Sequence, residues 1–69
     1  MEVELPVGLY GKTWSELNVP GEIAVCAVVR GGQAMLPSEG FVFEAGDVAF
    51  LNVLRESSAK LERLLGLKE

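Results

Sequence analysis

The sequence predicts an α+β domain with a small, mostly antiparallel sheet, a short N-terminal helix and a longer C-terminal helix. Two apolar runs, Ile23–Val29 and Val48–Leu54, are rich in residues that favour strands and are too short to span a membrane. The Arg-Gly-Gly step after the first run is typical of a hairpin turn. We therefore expect the two runs to form central strands, which the rest of the chain flanks or covers.

The first segment, Met1–Val7, alternates between apolar and polar residues. Val3, Leu5 and Val7 would share one face, and acidic residues the other, which is the pattern of a strand with one solvated face. Pro6 cannot donate a backbone hydrogen bond, so this segment is expected to be an edge strand or the end of a strand.

Thr13–Glu16 has the Ser/Thr-x-x-Glu spacing of a capping box and predicts the short helix. Asn18, Pro20 and Gly21 should end it after one or two turns. Trp14 is interpreted as a core residue rather than a platform for stacking a ligand.

The longer helix is predicted over Glu56–Leu65, with Ser57 as its N-terminal cap and a leucine stripe at Leu61, Leu64 and Leu65. Gly66 suits the C-terminal cap, and Lys68 would favour the negative end of the helix dipole.

The strand Glu22–Arg30 is apolar on both faces, so it is expected to be covered on both sides. Ile23, Val25, Ala27 and Val29 would face one way, and Ala24, Cys26 and Val28 the other. No basic residue adjoins Cys26 in sequence to lower the pKa of its thiol. Cys26 is therefore interpreted as an inert, buried thiol rather than a redox centre.

The segment after Gly31-Gly32 should return as a short strand over Gln33–Leu36. Phe41 and Phe43 are expected to anchor the following loop in the core. Asp47 follows Gly46 in a tight turn, and we interpret it as a turn-stabilising residue rather than a catalytic carboxylate.

Composition excludes several kinds of site. The chain has no histidine and one cysteine, which rules out an internal disulfide, a Cys/His zinc cluster and a His-activated nucleophile. The net charge of −4 argues against binding to nucleic acid or anionic lipid. No phosphate-binding glycine motif is present. The sequence therefore predicts a protein that is not an enzyme and has no metal site.

Hydrophobic residues make up 49% of the chain, and mean hydropathy is +0.30. So small a domain has little interior, so the surplus predicts an exposed apolar face and a homodimer or other partner. An ordinary tight core is the alternative. With neither a signal peptide nor a membrane span in the pattern, we expect a cytoplasmic protein that is not inserted in the membrane.

The order of turn motifs carries a resemblance to a known family. The chain contains Gly11-Lys12-Thr13, the strand Ile23–Val29, Arg30-Gly31-Gly32, Leu36-Pro37 and Ala45-Gly46-Asp47, in that order. This arrangement resembles the TrkA C-terminal domain family, the C-terminal subdomain of regulators of potassium conductance. The resemblance extends from about Val3 to Leu65.

The resemblance implies a regulatory domain of a potassium or other cation transport system that gates a membrane carrier or channel through the geometry of a homodimer. Such domains usually follow a Rossmann-type half, which residues 1–69 lack, so this single domain is either a stand-alone protein or a fragment. A stand-alone copy would act through a separate Rossmann-type subunit. A cyclic dinucleotide or a cation is the implied ligand. A ligand-free assembly domain, or a small redox enzyme using Cys26, remains an alternative.

The same resemblance places a ligand pocket near the end of the strand that carries Arg30. Arg30 could pair with a phosphate, with the backbone N–H groups of Gly31 and Gly32 nearby, and Leu36 and Pro37 could line the pocket. Alternatively, Arg30 ends a strand and extends its head to solvent, and the glycines only make the turn.

Overall fold

The computed structural model describes residues 1–66, which form a four-stranded antiparallel sheet with helices against one face. The strands and helices are β1 (Glu2–Glu4), α1 (Trp14–Leu17), β2 (Ile23–Arg30), β3 (Gln33–Met35), β4 (Val48–Val53) and α2 (Ser58–Leu65). Two 3-10 turns, Val7–Leu9 and Arg55–Ser57, precede the helices. The strand order is β1-β4-β2-β3. The predicted fold class is confirmed, including the edge position of β1.

The core lies between the sheet and the helices. The cross-strand pairs Val25–Leu51 and Val28–Ala49 belong to one buried cluster with Leu17 of α1 and Leu61 of α2. Phe43 is also fully buried in this cluster, and Phe41 packs against it, as predicted for the loop anchors. Because both helices lie on this side, the opposite face of the sheet carries no layer from residues 1–66.

A β-bulge at Cys26 changes the predicted pattern of β2. The pairing with β4 shifts between Val25 and Ala27, so one residue is inserted and the side-chain alternation reverses. Val28 is therefore buried, whereas Cys26 is exposed on the uncovered face. The predictions that Cys26 is buried and that β2 is covered on both sides are wrong within the described chain.

The first helix follows its predicted start. The backbone N–H of Thr13 donates to Glu16 Oε2 at 2.9 Å, which is the reciprocal half of the capping box. Trp14 is half-buried against the core, and its indole Nε1 donates to the carbonyl of Val25 at 3.1 Å. This contact confirms Trp14 as a packing residue.

The first strand and the C-terminal helix differ from their predicted starts or ends. Val7 is 76% exposed because the 3-10 turn removes it from the first strand. α2 begins at Ser58, and the Ser57 hydroxyl donates to Glu22 Oε1 at 3.0 Å instead of capping the helix. Gly66 ends α2 with φ +77°, as predicted. The contact predicted for Lys68 lies outside the described residues. Among residues 1–66, no helix is long and apolar enough to cross a membrane.

Candidate functional site

Arg30, the residue for which the sequence predicted ligand binding, ends β2 beside the start of β4. Its guanidinium forms a two-point ion pair with Asp47: Nε donates to Oδ1 at 2.8 Å, and Nη2 donates to Oδ2 at 2.7 Å. The register explains the contact, because Val29 pairs with Val48 and the next residues along the two strands are Arg30 and Asp47. Antiparallel pairing thus brings the Arg-Gly-Gly and Gly-Asp motifs together.

Asp47 is completely buried, and both of its carboxylate oxygens accept hydrogen bonds. Oδ2 also accepts the backbone N–H of Glu44 at 2.8 Å, which closes the turn that the sequence predicted. The hydrogen bonds from Arg30, followed by the bond from Glu44 N–H, hold the pKa of the Asp47 carboxyl below its ordinary value. Asp47 therefore stays ionised and fixes Arg30.

The other side of the Arg30 guanidinium faces the surface. Nη2 donates to the carbonyl of Val42 at 3.0 Å, and the guanidinium carbon lies 5.0 Å from the centroid of the Phe41 ring. Nη1 lies 3.2 Å from Glu44 Oε2, and the Glu44 side chain is 62% exposed. Nη1 is therefore the guanidinium nitrogen that pairs with a surface carboxylate.

The third motif, Gly11-Lys12-Thr13, joins the same network through the backbone. Gly11 N–H donates to the carbonyl of Phe43 at 2.9 Å, and Phe43 N–H donates to the carbonyl of Lys12 at 2.9 Å. Trp14 N–H donates to the carbonyl of Phe41 at 2.7 Å. Arg30 thus holds, through Val42 and Asp47, the loop that the Gly-Lys-Thr segment also binds.

Of the remaining predicted site residues, the two glycines lie at the same end of the sheet as Arg30. Leu36 and Pro37 follow β3 away from that end, because Gln33 pairs with Arg30 and Met35 with Val28. Gly31 and Gly32 form the hairpin turn with φ +57° and +79°, which L-residues rarely adopt. Leu36 is 86% exposed, and Pro37 is half-buried just beyond β3. The polar partners of the Arg30 side chain within residues 1–66 are Asp47, Val42 and Glu44, so neither Leu36 nor Pro37 joins its hydrogen bonds.

Sequence reasoning missed Asp47 and Glu44 as partners of Arg30. The signal was available in the topology, since an antiparallel pairing of two neighbouring strands sets the end of one beside the start of the other. The charges at those two ends are opposite, and such residues pair across strands.

Two other features lie apart from Arg30. A shallow cavity of about 280 Å³ is bounded by Asn18, the start of β2 and the end of β4, at the opposite end of these strands. Cys26 Sγ accepts a hydrogen bond from Asn52 Nδ2 at 3.3 Å, and its hydrogen-bond partners within residues 1–66 are Asn52 and the carbonyl of Ala24. Within the described chain, no three acidic, cysteine or histidine residues cluster as a metal site would require.

Comparison with known proteins supports the motif assignment. The family model described as the TrkA-C domain matches residues 1–66. The curated proteins contain no sequence match to this chain. The matched range includes all three motifs that meet around Arg30.

Proposed function

The chain belongs to the TrkA-C domain family, and we propose that it is a non-catalytic, ligand-sensing and dimerising domain of a potassium or other cation transport system. Domains of this family regulate potassium transport and associate with transporter or channel components. The finer proposal is that a ligand at Arg30 changes the geometry of a homodimer and so gates a membrane carrier or channel. A separate Rossmann-type subunit is the alternative partner.

The observation that carries the sensing proposal is the ion pair between Arg30 Nη1 and Glu44. Asp47 and Val42 fix the other guanidinium nitrogens inside the domain, so an anionic ligand can bind only where Glu44 now lies. A phosphate of a cyclic dinucleotide offers the charge and the oxygen atoms that a guanidinium binds best. In this proposal, Glu44 acts as the internal competitor of the ligand.

Displacing Glu44 would affect more than one side chain. The backbone of Glu44 is bound to the Asp47 carboxylate, so this residue connects the guanidinium with the turn that starts β4. Ligand binding would select the state in which the Glu44 side chain has moved away. A sensor requires two such states with different affinities for the ligand.

The dimer surface in this proposal lies beside Arg30. Val42, whose carbonyl accepts a hydrogen bond from Arg30, is 44% exposed, and Leu36, which follows β3, is 86% exposed. Exposed apolar side chains are expected in a protein interface. Gly31, Gly32, Leu36 and Pro37 would then border a ligand held between two protomers.

A thermal-shift screen of the protein against candidate ligands tests whether it binds one of them. The panel contains cyclic dinucleotides, adenine nucleotides, and monovalent and divalent cations. A ligand at 100 times its Kd stabilises the folded state by about 2.7 kcal/mol. For a domain of this size that corresponds to a rise in Tm of roughly 10–20 °C.

Two matched variants locate the binding. Glu44→Gln removes the competing charge and should tighten binding of an anion, whereas Arg30→Lys keeps the charge but loses the planar fork and should weaken it. Arg30→Ala is a poor test, because it leaves the buried Asp47 without its cation. A strict monomer at high concentration in sedimentation would contradict the proposal. A dimer with no shift from any ligand would instead indicate a ligand-free assembly domain.

A further inference from the structure

The uncovered side of the sheet carries two rows of side chains, each crossing β1, β4 and β2. In the first row Glu4 pairs with Val48, and Val48 pairs with Val29. In the second row Glu2 pairs with Phe50, and Phe50 pairs with Ala27. We call the surface formed by Glu2, Glu4, Val48, Phe50, Ala27 and Val29 the open sheet face. Each row therefore runs from a carboxylate to a bulky apolar side chain and on to an apolar residue of β2.

The open sheet face lies opposite the core. The residues between its rows, Ala49 and Val28, are fully buried under the helices, whereas Phe50 is 37% exposed and both glutamates are exposed. Alternation along a strand sends neighbouring side chains to opposite faces. An apolar strip bordered by polar residues on a small domain marks an interaction surface.

A second copy of the chain does not match this charge pattern. The described strands carry no Lys or Arg on the open sheet face, so stacking two such faces adds carboxylates without a counter-charge. Lys12 pairs with Glu16, and the cations Arg55, Lys60 and Arg63 lie in or directly before α2, on the other side of the sheet. Bringing them onto Glu2 and Glu4 of another copy would require a head-to-tail contact, which does not close as a dimer.

We propose that the open sheet face binds an amphipathic helix of another protein segment, whose apolar stripe is flanked on one side by Lys or Arg at i, i+4 spacing. Glu2 and Glu4 are two positions apart on a strand, which separates them by roughly 7 Å. Residues four apart on a helix rise by about 6 Å. The spacing therefore allows both carboxylates to pair with successive basic residues.

The shape of the surface favours the same occupant. The side chains that β2 presents here, Ala24, Cys26 and Ala27, are small. They form a depression beside the larger Phe50 of β4. A helix that lies along β2 would contact these small residues and the side of the Phe50 ring. A helix on each face of a sheet is one of the stable layered arrangements of protein domains.

Cys26 supplies the reporter for the test. The thiol is exposed beside the apolar strip, and it is the only cysteine in the sequence. The probe is a designed 14-residue helical peptide with a Leu/Ala stripe and Lys at i, i+4 and i+8, compared with the same peptide carrying Glu at those positions. We expect saturating Lys peptide to slow maleimide alkylation of Cys26 at least tenfold, and the Glu peptide to have little effect.

A pair of double variants separates the surface from general charge attraction. Glu2→Lys with Glu4→Lys should reverse the preference between the two peptides. Glu39→Lys with Glu56→Lys gives the same net charge at exposed positions off this face, and it should leave the preference unchanged. Circular dichroism checks that each variant is folded.

Three results would overturn the proposal. They are equal alkylation rates with and without the Lys peptide, equal protection by that peptide in the Glu2/Glu4 variant, and slow alkylation of Cys26 in a self-associated chain without peptide. The last would assign the open sheet face to a second copy. Because the Arg30 site lies at one end of the core side, loss of ligand sensing would leave these outcomes unaffected.

Discussion

Arg30 and Asp47 join the ends of two neighbouring strands through hydrogen bonds of 2.8 and 2.7 Å, and the carboxylate is completely buried. Two donors on a planar guanidinium match two carboxylate oxygens, which is the strongest form of this pair. Backbone N–H of Glu44 adds a third bond to the carboxylate. The Arg-Gly-Gly and Gly-Asp motifs thus form one structural unit. Arg30 makes a structural contact with Asp47 and also has an edge that faces the surface.

We predict that Asp47→Asn lowers the free energy of unfolding by about 2 kcal/mol, because a neutral amide replaces the buried carboxylate that accepts the charge-assisted hydrogen bonds of Arg30. A chain of 69 residues is expected to have roughly 4–10 kcal/mol in total. Urea titration measures the loss. Glu44→Gln removes the exposed partner of the same arginine and should cost no more than about 1 kcal/mol. Equal losses in the two variants would contradict the assignment.

Arg30→Lys should destabilise the domain by roughly 2 kcal/mol, since an ammonium group cannot donate to both Asp47 oxygens with the geometry of the fork. The variant keeps the charge, so the loss isolates hydrogen-bond geometry from Coulombic attraction. Trp14 fluorescence follows the same urea transition. Wild-type stability in this variant would show that charge alone fixes Asp47.

Acid should unfold the domain partly through Asp47. Its pKa is lower in the folded state than in the unfolded chain, so the stabilisation is complete above the unfolded pKa. It is lost as pH falls from about 5 through the folded value, because the unfolded chain then binds the proton more readily. Asp47→Asn should show a flatter fall in unfolding free energy over this range. An unchanged slope would assign the acid sensitivity to other carboxylates.

The sequence identified the strands, both helices and the turn motifs because each has a local signal. Gly46-Asp47 is a turn pattern in itself, and the Thr13–Glu16 spacing alone predicts a helix start. The bulge at Cys26 has no such signal, since Val25, Cys26 and Ala27 all suit a strand. One inserted residue reversed the faces that simple alternation predicts for the rest of β2.

The local sequence pattern also could not predict which face of the sheet the chain itself covers. β2 is apolar on both faces, and a run of that kind does not distinguish cover within the chain from cover by a partner. Arg30 was found because it stands in a motif. Its pairing with Asp47 depended on strand register, which neighbouring residues do not encode.

Ser57 gives a prediction that separates a tertiary contact from a helix cap. The hydroxyl is buried and donates to Glu22 Oε1 at 3.0 Å, and Lys60 Nζ lies 2.8 Å from the same oxygen. Ser57→Ala should lower the free energy of unfolding by about 1 kcal/mol, the typical value of one such hydrogen bond. Lys60→Ala, which removes only the exposed ion pair, should have a smaller effect.

If Ser57 acted as a helix cap, Ser57→Asn would retain stability. We expect Ser57→Asn to be destabilising, because the larger side chain does not fit the buried position beside Glu22. Urea titration of the three variants decides between the two roles.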